Sequence, residues 1–95
     1  MSICKQITLT AKENSVAALK TLLITMVEPS RQEQGCLRYD LFQYQDNPEQ
    51  FFIVEEWQNE TDLERHKQAI HFKNFKSEAP ALLAKKASLN LLGLA

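Results

Sequence analysis

Along this chain, apolar and polar positions alternate in some stretches and recur at helical spacing in others. From Ser2 to Thr10, Ile3, Ile7 and Leu9 oppose Cys4, Gln6, Thr8 and Thr10, with Lys5 interrupting the apolar face. That alternation predicts a strand with one buried side. Val16, Leu19, Leu22, Leu23, Met26 and Val27 then form a stripe that predicts an amphipathic helix. Asn14 or Ser15 is placed to cap it. Pro29 has no N–H and should kink or interrupt it, and Gly35 reads as its left-handed stop. Cys36 to Gln45 alternates again, Leu37, Tyr39 and Leu41 against Arg38, Asp40, Phe42 and Tyr44. Asp46-Asn47-Pro48 is a turn. Phe51 to Trp57 is apolar on both faces, which predicts a central strand.

Thr61-Asp62-Leu63-Glu64 reads as a capping box opening a second helix. Leu63, His66 and Ile70 share one of its faces, so His66 points toward the sheet. Phe72, Phe75, Ala79 and Leu82 repeat the spacing, yet one straight helix would place them about 120° away. A bend near Ala69 to His71 lets both sets face the sheet. Pro80 permits a short turn, and Ala87 to Leu94 closes the chain as a strand.

The resulting β-α-β-β-α-β order is the ferredoxin-like, α+β pattern: a four-stranded antiparallel sheet with its helices on one face. The other face keeps Phe52, Val54 and Leu92. Left in water these would form a large apolar patch, so a second copy packed sheet to sheet is expected.

A chain of 95 residues forms one domain, residues 1–95. Its 12 acidic and 11 basic residues are well mixed, which argues against a nucleic-acid partner. No apolar run approaches the ~20 residues of a membrane helix. Cys4 and Cys36 are far apart and form no CxxC motif, and MSICKQITLT has no apolar signal segment. These features predict a cytoplasmic protein with free thiols. In the expected strand order the two cysteines stand about 9–10 Å apart, beyond the roughly 7 Å a disulfide spans.

The candidate chemistry gathers between residues 51 and 75. An inward imidazole exchanges protons near neutral pH, so His66 is the candidate base. A core histidine holding a backbone carbonyl is its bland counterpart. Glu55 is an acid on an apolar face; it can orient His66, accept a substrate proton, or pair with Arg38. His71 falls at the bend, at the mouth of any enclosed space. Trp57 and Tyr39 can stack on an aromatic substrate or simply fill the core, as can Phe72 and Phe75. His66 and His71 are five residues apart and do not share a helical face, so no metal is expected. Phosphate-loop, dinucleotide and serine-nucleophile motifs are absent, so no cofactor is expected.

The segments Glu33-Gln34-Gly35-Cys36-Leu37-Arg38-Tyr39, Glu55-Glu56-Trp57, His66 and His71-Phe72 with Phe75 stand in an order that resembles the antibiotic biosynthesis monooxygenase domain, one of the dimeric α+β barrel families. The resemblance covers nearly the whole chain and is specific as a set. It implies a homodimer with a small-molecule pocket between sheet and helices in each subunit. Members differ in chemistry: some oxygenate quinols or anthrones without metal or flavin, some degrade haem, and some isomerise a phosphorylated signalling sugar. The haem-degrading members carry Asn in the first strand and an iron-binding His in the last helix. This chain has Lys5-Gln6-Ile7 and Lys76 there, which argues against haem. The isomerase group has Tyr where this chain has Trp57 and keeps both histidines. The expected function is a cofactor-independent monooxygenase acting on a small electron-rich aromatic or quinol. The sugar isomerase and a non-catalytic binding dimer are the alternatives.

Overall fold

The structure, a computed structural model, describes residues 2–95. Strand β1 is Ile3–Thr10, helix α1 Val16–Arg31, β2 Cys36–Gln43, β3 Gln50–Trp57, α2 Glu60–Gln68, α3 Ile70–Glu78 and β4 Ser88–Leu92. A 3₁₀ turn, Ala79–Ala81, follows α3. The strands form one antiparallel sheet in the order β2-β3-β1-β4. This is the expected ferredoxin-like arrangement, with β3 inside the sheet.

Burial along β3 alternates strictly. Phe51, Ile53, Glu55 and Trp57 are buried beneath the helices, while Phe52, Val54 and Glu56 face the other way, partly exposed. Leu9 of β1 and Leu19, Leu23 and Met26 of α1 complete the core. Full burial of each such side chain contributes about 1.5–3 kcal/mol, so the helix-facing side of the sheet holds most of the fold's stability.

Several local expectations change. Pro29 does not interrupt the assigned helix: α1 runs past it to Arg31. Ser15 occupies the N-cap position of α1, but its hydroxyl makes no capping bond. Gly35 does take the left-handed conformation, φ 82°, but it turns the chain into β2 rather than ending α1. The cap of α2 is Asn59, whose side chain accepts from the Asp62 N–H at 2.9 Å; Thr61 already lies inside the helix, so the capping box does not form. Leu37 does not share a face with Tyr39. A bulge between Cys36 and Arg38 adds a residue to β2, pairing Cys36 with Trp57 and Tyr39 with Glu55. Leu37 is thereby 57% exposed.

The bend is where the two helical patterns require it. Ala69 is extended, with ψ 148°, and separates α2 from α3. Leu63 and His66 face the sheet before the break, and Phe72, Phe75 and Ala79 pack inward after it. Ile70, expected on the inner face, sits at the break and is 73% exposed. Cys4 and Cys36 are both free, with β3 between their strands. No helix among the described residues is long and apolar enough to cross a membrane.

Candidate active site

Helices and sheet border a half-open cavity of about 750 Å³. Its apolar wall comes from the inner face of the sheet, including Leu9 and Ile53, and from Phe72 and Phe75 on α3. Its polar groups include Tyr39, Glu55 and His66. Five of the seven expected site residues therefore border one space. Trp57 and His71 do not: Trp57 is fully buried behind the wall, and His71 faces an outer groove between α1 and α3.

His66 is 1% exposed and lies among rings. The Trp57 centroid is 4.5 Å away, Tyr39 is at 5.9 Å, and Phe72 meets it edge-on at 5.1 Å. These rings fix the imidazole plane. Its Nδ1 lies 2.6 Å from Glu33 Oε2, and the same oxygen lies 2.9 Å from His71 Nε2. With Glu33 ionised it can only accept, so His66 carries its proton on Nδ1 and His71 on Nε2. In the neutral imidazole Nε2 is then the lone-pair nitrogen, and no described residue hydrogen-bonds it.

The orienting acid is Glu33 rather than Glu55. Glu33 lies in the connection between α1 and β2, and the left-handed turn at Gly35 directs that connection back toward α2. A Cβ at Gly35 would overlap the Asp62 side chain, so the close approach of this connection to α2 requires glycine. The break at Ala69 brings His71 to the same carboxylate that holds His66. Sequence spacing alone hides this convergence, since Glu33 is 33 and 38 residues from its two partners. Glu33 stands in the E-x-G-C segment of the family resemblance, and that segment is the one sequence signal pointing to it.

Glu55 has a different partner. It accepts from Trp57 Nε1 at 2.8 Å and is 3% exposed. Arg38 instead pairs with Asp40 at 2.6 Å and holds that carboxyl below the usual carboxylate range. Across the sheet Glu55 stands between Tyr39 and Lys5 in one cross-strand row. Burial, reinforced by the Glu55 charge, pushes the Tyr39 phenol well above the usual tyrosine range. Tyr39 is therefore a neutral O–H group bordering the cavity.

Glu33, His66 and His71 are also the described residues whose donor atoms converge as metal ligands do, all within 4.8 Å. Two imidazoles and a carboxylate suit zinc or another borderline divalent ion. The 2.6 and 2.9 Å separations are ordinary hydrogen-bond lengths to one shared oxygen. A metal would have to displace both bonds.

Residues 2–78 match the family described as antibiotic biosynthesis monooxygenase. The Mycobacterium tuberculosis protein named "Putative monooxygenase Rv0793" is 30% identical over 76 residues, which is 80% of this chain and 74% of that protein. "Uncharacterized protein sll1783" of Synechocystis is 35% identical over 71 residues, 75% of this chain, and the match spans 48% of that relative's length. The crystal structure of PA3566 from Pseudomonas aeruginosa is similar at a TM-score of 0.93 and 36% identity, covering 99% of this chain and 95% of that one. The match of fold, segment order and sequence pattern over most of the chain is sufficient: this chain belongs to the antibiotic biosynthesis monooxygenase family.

Proposed function

We propose that this protein is a cofactor-independent monooxygenase that uses O₂ to oxidise a small electron-rich hydroxylated aromatic, quinols included. One observation supports this reading best: Glu33 fixes the His66 ring through Nδ1, while His66 borders an apolar cavity and its Nε2 has no described partner. A buried, oriented imidazole beside a cavity large enough for an aromatic ring is suited to general-base work.

In this reading His66 Nε2 removes the proton of a substrate hydroxyl, and Glu33 stabilises the imidazolium that forms. Tyr39 donates a hydrogen bond to the substrate oxyanion, and the Glu55 oxygen not held by Trp57 accepts from a second substrate hydroxyl. The anion passes one electron to O₂, and the superoxide and substrate radical combine at a ring carbon to give a peroxide. His66 returns its proton to that peroxide. Loss of water leaves the quinone, so one oxygen atom enters the product and the other leaves as water. The apolar wall of Leu9, Ile53, Phe72 and Phe75 limits the contact of these intermediates with water.

The working form in this proposal is a homodimer. On the face away from the helices, Phe42 stacks on Phe52 at 4.8 Å and Tyr44 lies 5.3 Å from Phe52. Phe42 and Tyr44 are each 42% exposed. A second copy laid on this face covers them.

The test is oxygen consumption with a panel of hydroquinones, naphthols and anthrones, with products identified by mass spectrometry. Under ¹⁸O₂ the quinone should gain one labelled oxygen. No protein-dependent uptake across the panel would contradict the reading.

A further inference from the structure

The charge of the cavity wall is one-sided. Lys5, Lys67, Lys76, Lys85 and Lys86 border the cavity, and Glu55 is the one carboxylate among its lining residues. Lys67 is paired with Glu64 at 3.3 Å. The other four lysines enter no ion pair among the described residues. Lys76, Lys85 and Lys86 are exposed, and water accounts for their charges.

Lys5 is placed differently. It is 8% exposed and occupies an inward position of β1 that periodicity would give to an apolar residue. Directly opposite, on β3, is Glu55. That carboxylate is turned to the Trp57 indole, and no ion pair to Lys5 forms. Its Nζ is not sealed from solvent; with so little of the residue exposed, that amine opens onto the cavity, as a charge with no ion-pair partner. The space that Lys5 borders is the cavity, so the missing anion is one that a ligand can supply. The three exposed lysines add a positive field at the same wall, which draws anions inward.

We infer that the substrate carries an anionic group, of the carboxylate class, beside its oxidisable ring, and that Lys5 binds it. This rests on the monooxygenase reading for the ring and for the role of His66. The Lys5 part follows from burial and charge alone. The division of the wall matches such a molecule: Ile53, Leu9, Phe72 and Phe75 take the ring, while Lys5 stands in the same cross-strand row as Glu55 and Tyr39, beside the proposed chemistry. As an ammonium, Lys5 acts as a point charge and does not demand the two-pronged geometry of an arginine site.

The test is a binding measurement that needs no turnover. Calorimetric titration compares 1-hydroxy-2-naphthoate with its neutral isostere, 1-hydroxy-2-naphthamide, on the intact protein. The acid should bind at least about tenfold tighter, as expected for one charge pair in a partly desolvated site. Raising salt from about 0.02 to about 0.3 M should weaken the acid and leave the amide unchanged. Lys5→Met should abolish the preference, and Lys5→Arg should keep it. If Lys5→Met fails to fold, Lys5→Gln and the salt dependence carry the test. Equal binding of acid and amide by the unaltered protein, no binding of either at millimolar concentration, or a preference that survives in folded Lys5→Met or Lys5→Gln would overturn the inference. Absence of oxygen uptake together with a Lys5-dependent acid preference would sink the monooxygenase reading and leave the anion site standing.

Discussion

A hydrogen bond of 2.6 Å joins the Glu33 carboxylate to His66 Nδ1 across 33 residues of sequence. It decides which ring nitrogen is left for the cavity. Glu33→Gln keeps the shape but removes the charge that fixes the tautomer and stabilises the imidazolium. Turnover should fall about 10²–10⁴-fold, the usual share of acid–base catalysis, while KM changes little. A kcat within twofold of the unaltered protein's would show that Glu33 plays no part in the chemistry.

Gly35 holds this arrangement at the backbone level. Its φ of 82° is unfavourable for any other residue, and a Cβ there would overlap Asp62. Gly35→Ala should destabilise the fold by about 2–4 kcal/mol. For a domain of this size that corresponds to a melting temperature lower by roughly 10–20 °C. Thermal unfolding followed by circular dichroism checks this, and an unchanged melting temperature would contradict it.

The fold was largely legible because strand alternation and helical spacing report burial directly. The β3 pattern, the inward His66 and the break at Ala69 follow from periods of two and 3.6. The departures have separate physical causes. The Leu37 bulge shifts the alternation by one residue, and an apolar count cannot locate that shift. Asn59 and Thr61 are both good caps, and the fold uses the earlier one. Pro29 is tolerated in the last turns of α1, where loss of one N–H is a local defect. Glu33 is a polar residue in a short connection with no periodicity, so its pairing with two distant histidines appears only when the chain is folded. Lys5 was legible as a break in the pattern, but its burial was not.

The Cys36 thiol should resist alkylation. Burial, partly offset by hydrogen bonding from the Arg38 backbone, pushes it up to about 11 from the ordinary 9.0. At pH 8 little thiolate is present, so iodoacetamide should modify Cys36 far more slowly in native than in denatured protein, measured on Cys4→Ser by mass spectrometry. The same shift contributes stability that is complete below about pH 9 and is lost as pH rises through about 11. Denaturant midpoints should therefore fall across that window, and native labelling as fast as denatured labelling would contradict the burial.

Sedimentation should give a mass near twice the 10.9 kDa chain. Phe52→Asp puts a charge in the centre of the aromatic cluster on the outer sheet face and should produce a folded monomer. A dimer that persists in Phe52→Asp would place the interface elsewhere.

The central claim, that His66 is the base, is tested most directly by turnover of His66→Gln on a quinol that the unaltered protein oxidises. Glutamine keeps a polar side chain of similar reach and avoids the cavity that alanine would leave, but it cannot accept the proton near neutral pH. Oxygen uptake per folded molecule should fall about 10²–10⁴-fold, with the melting temperature and assembly state nearly unchanged. Full turnover in a folded His66→Gln protein would contradict the account and move the base to another group of the cavity, Glu55 first.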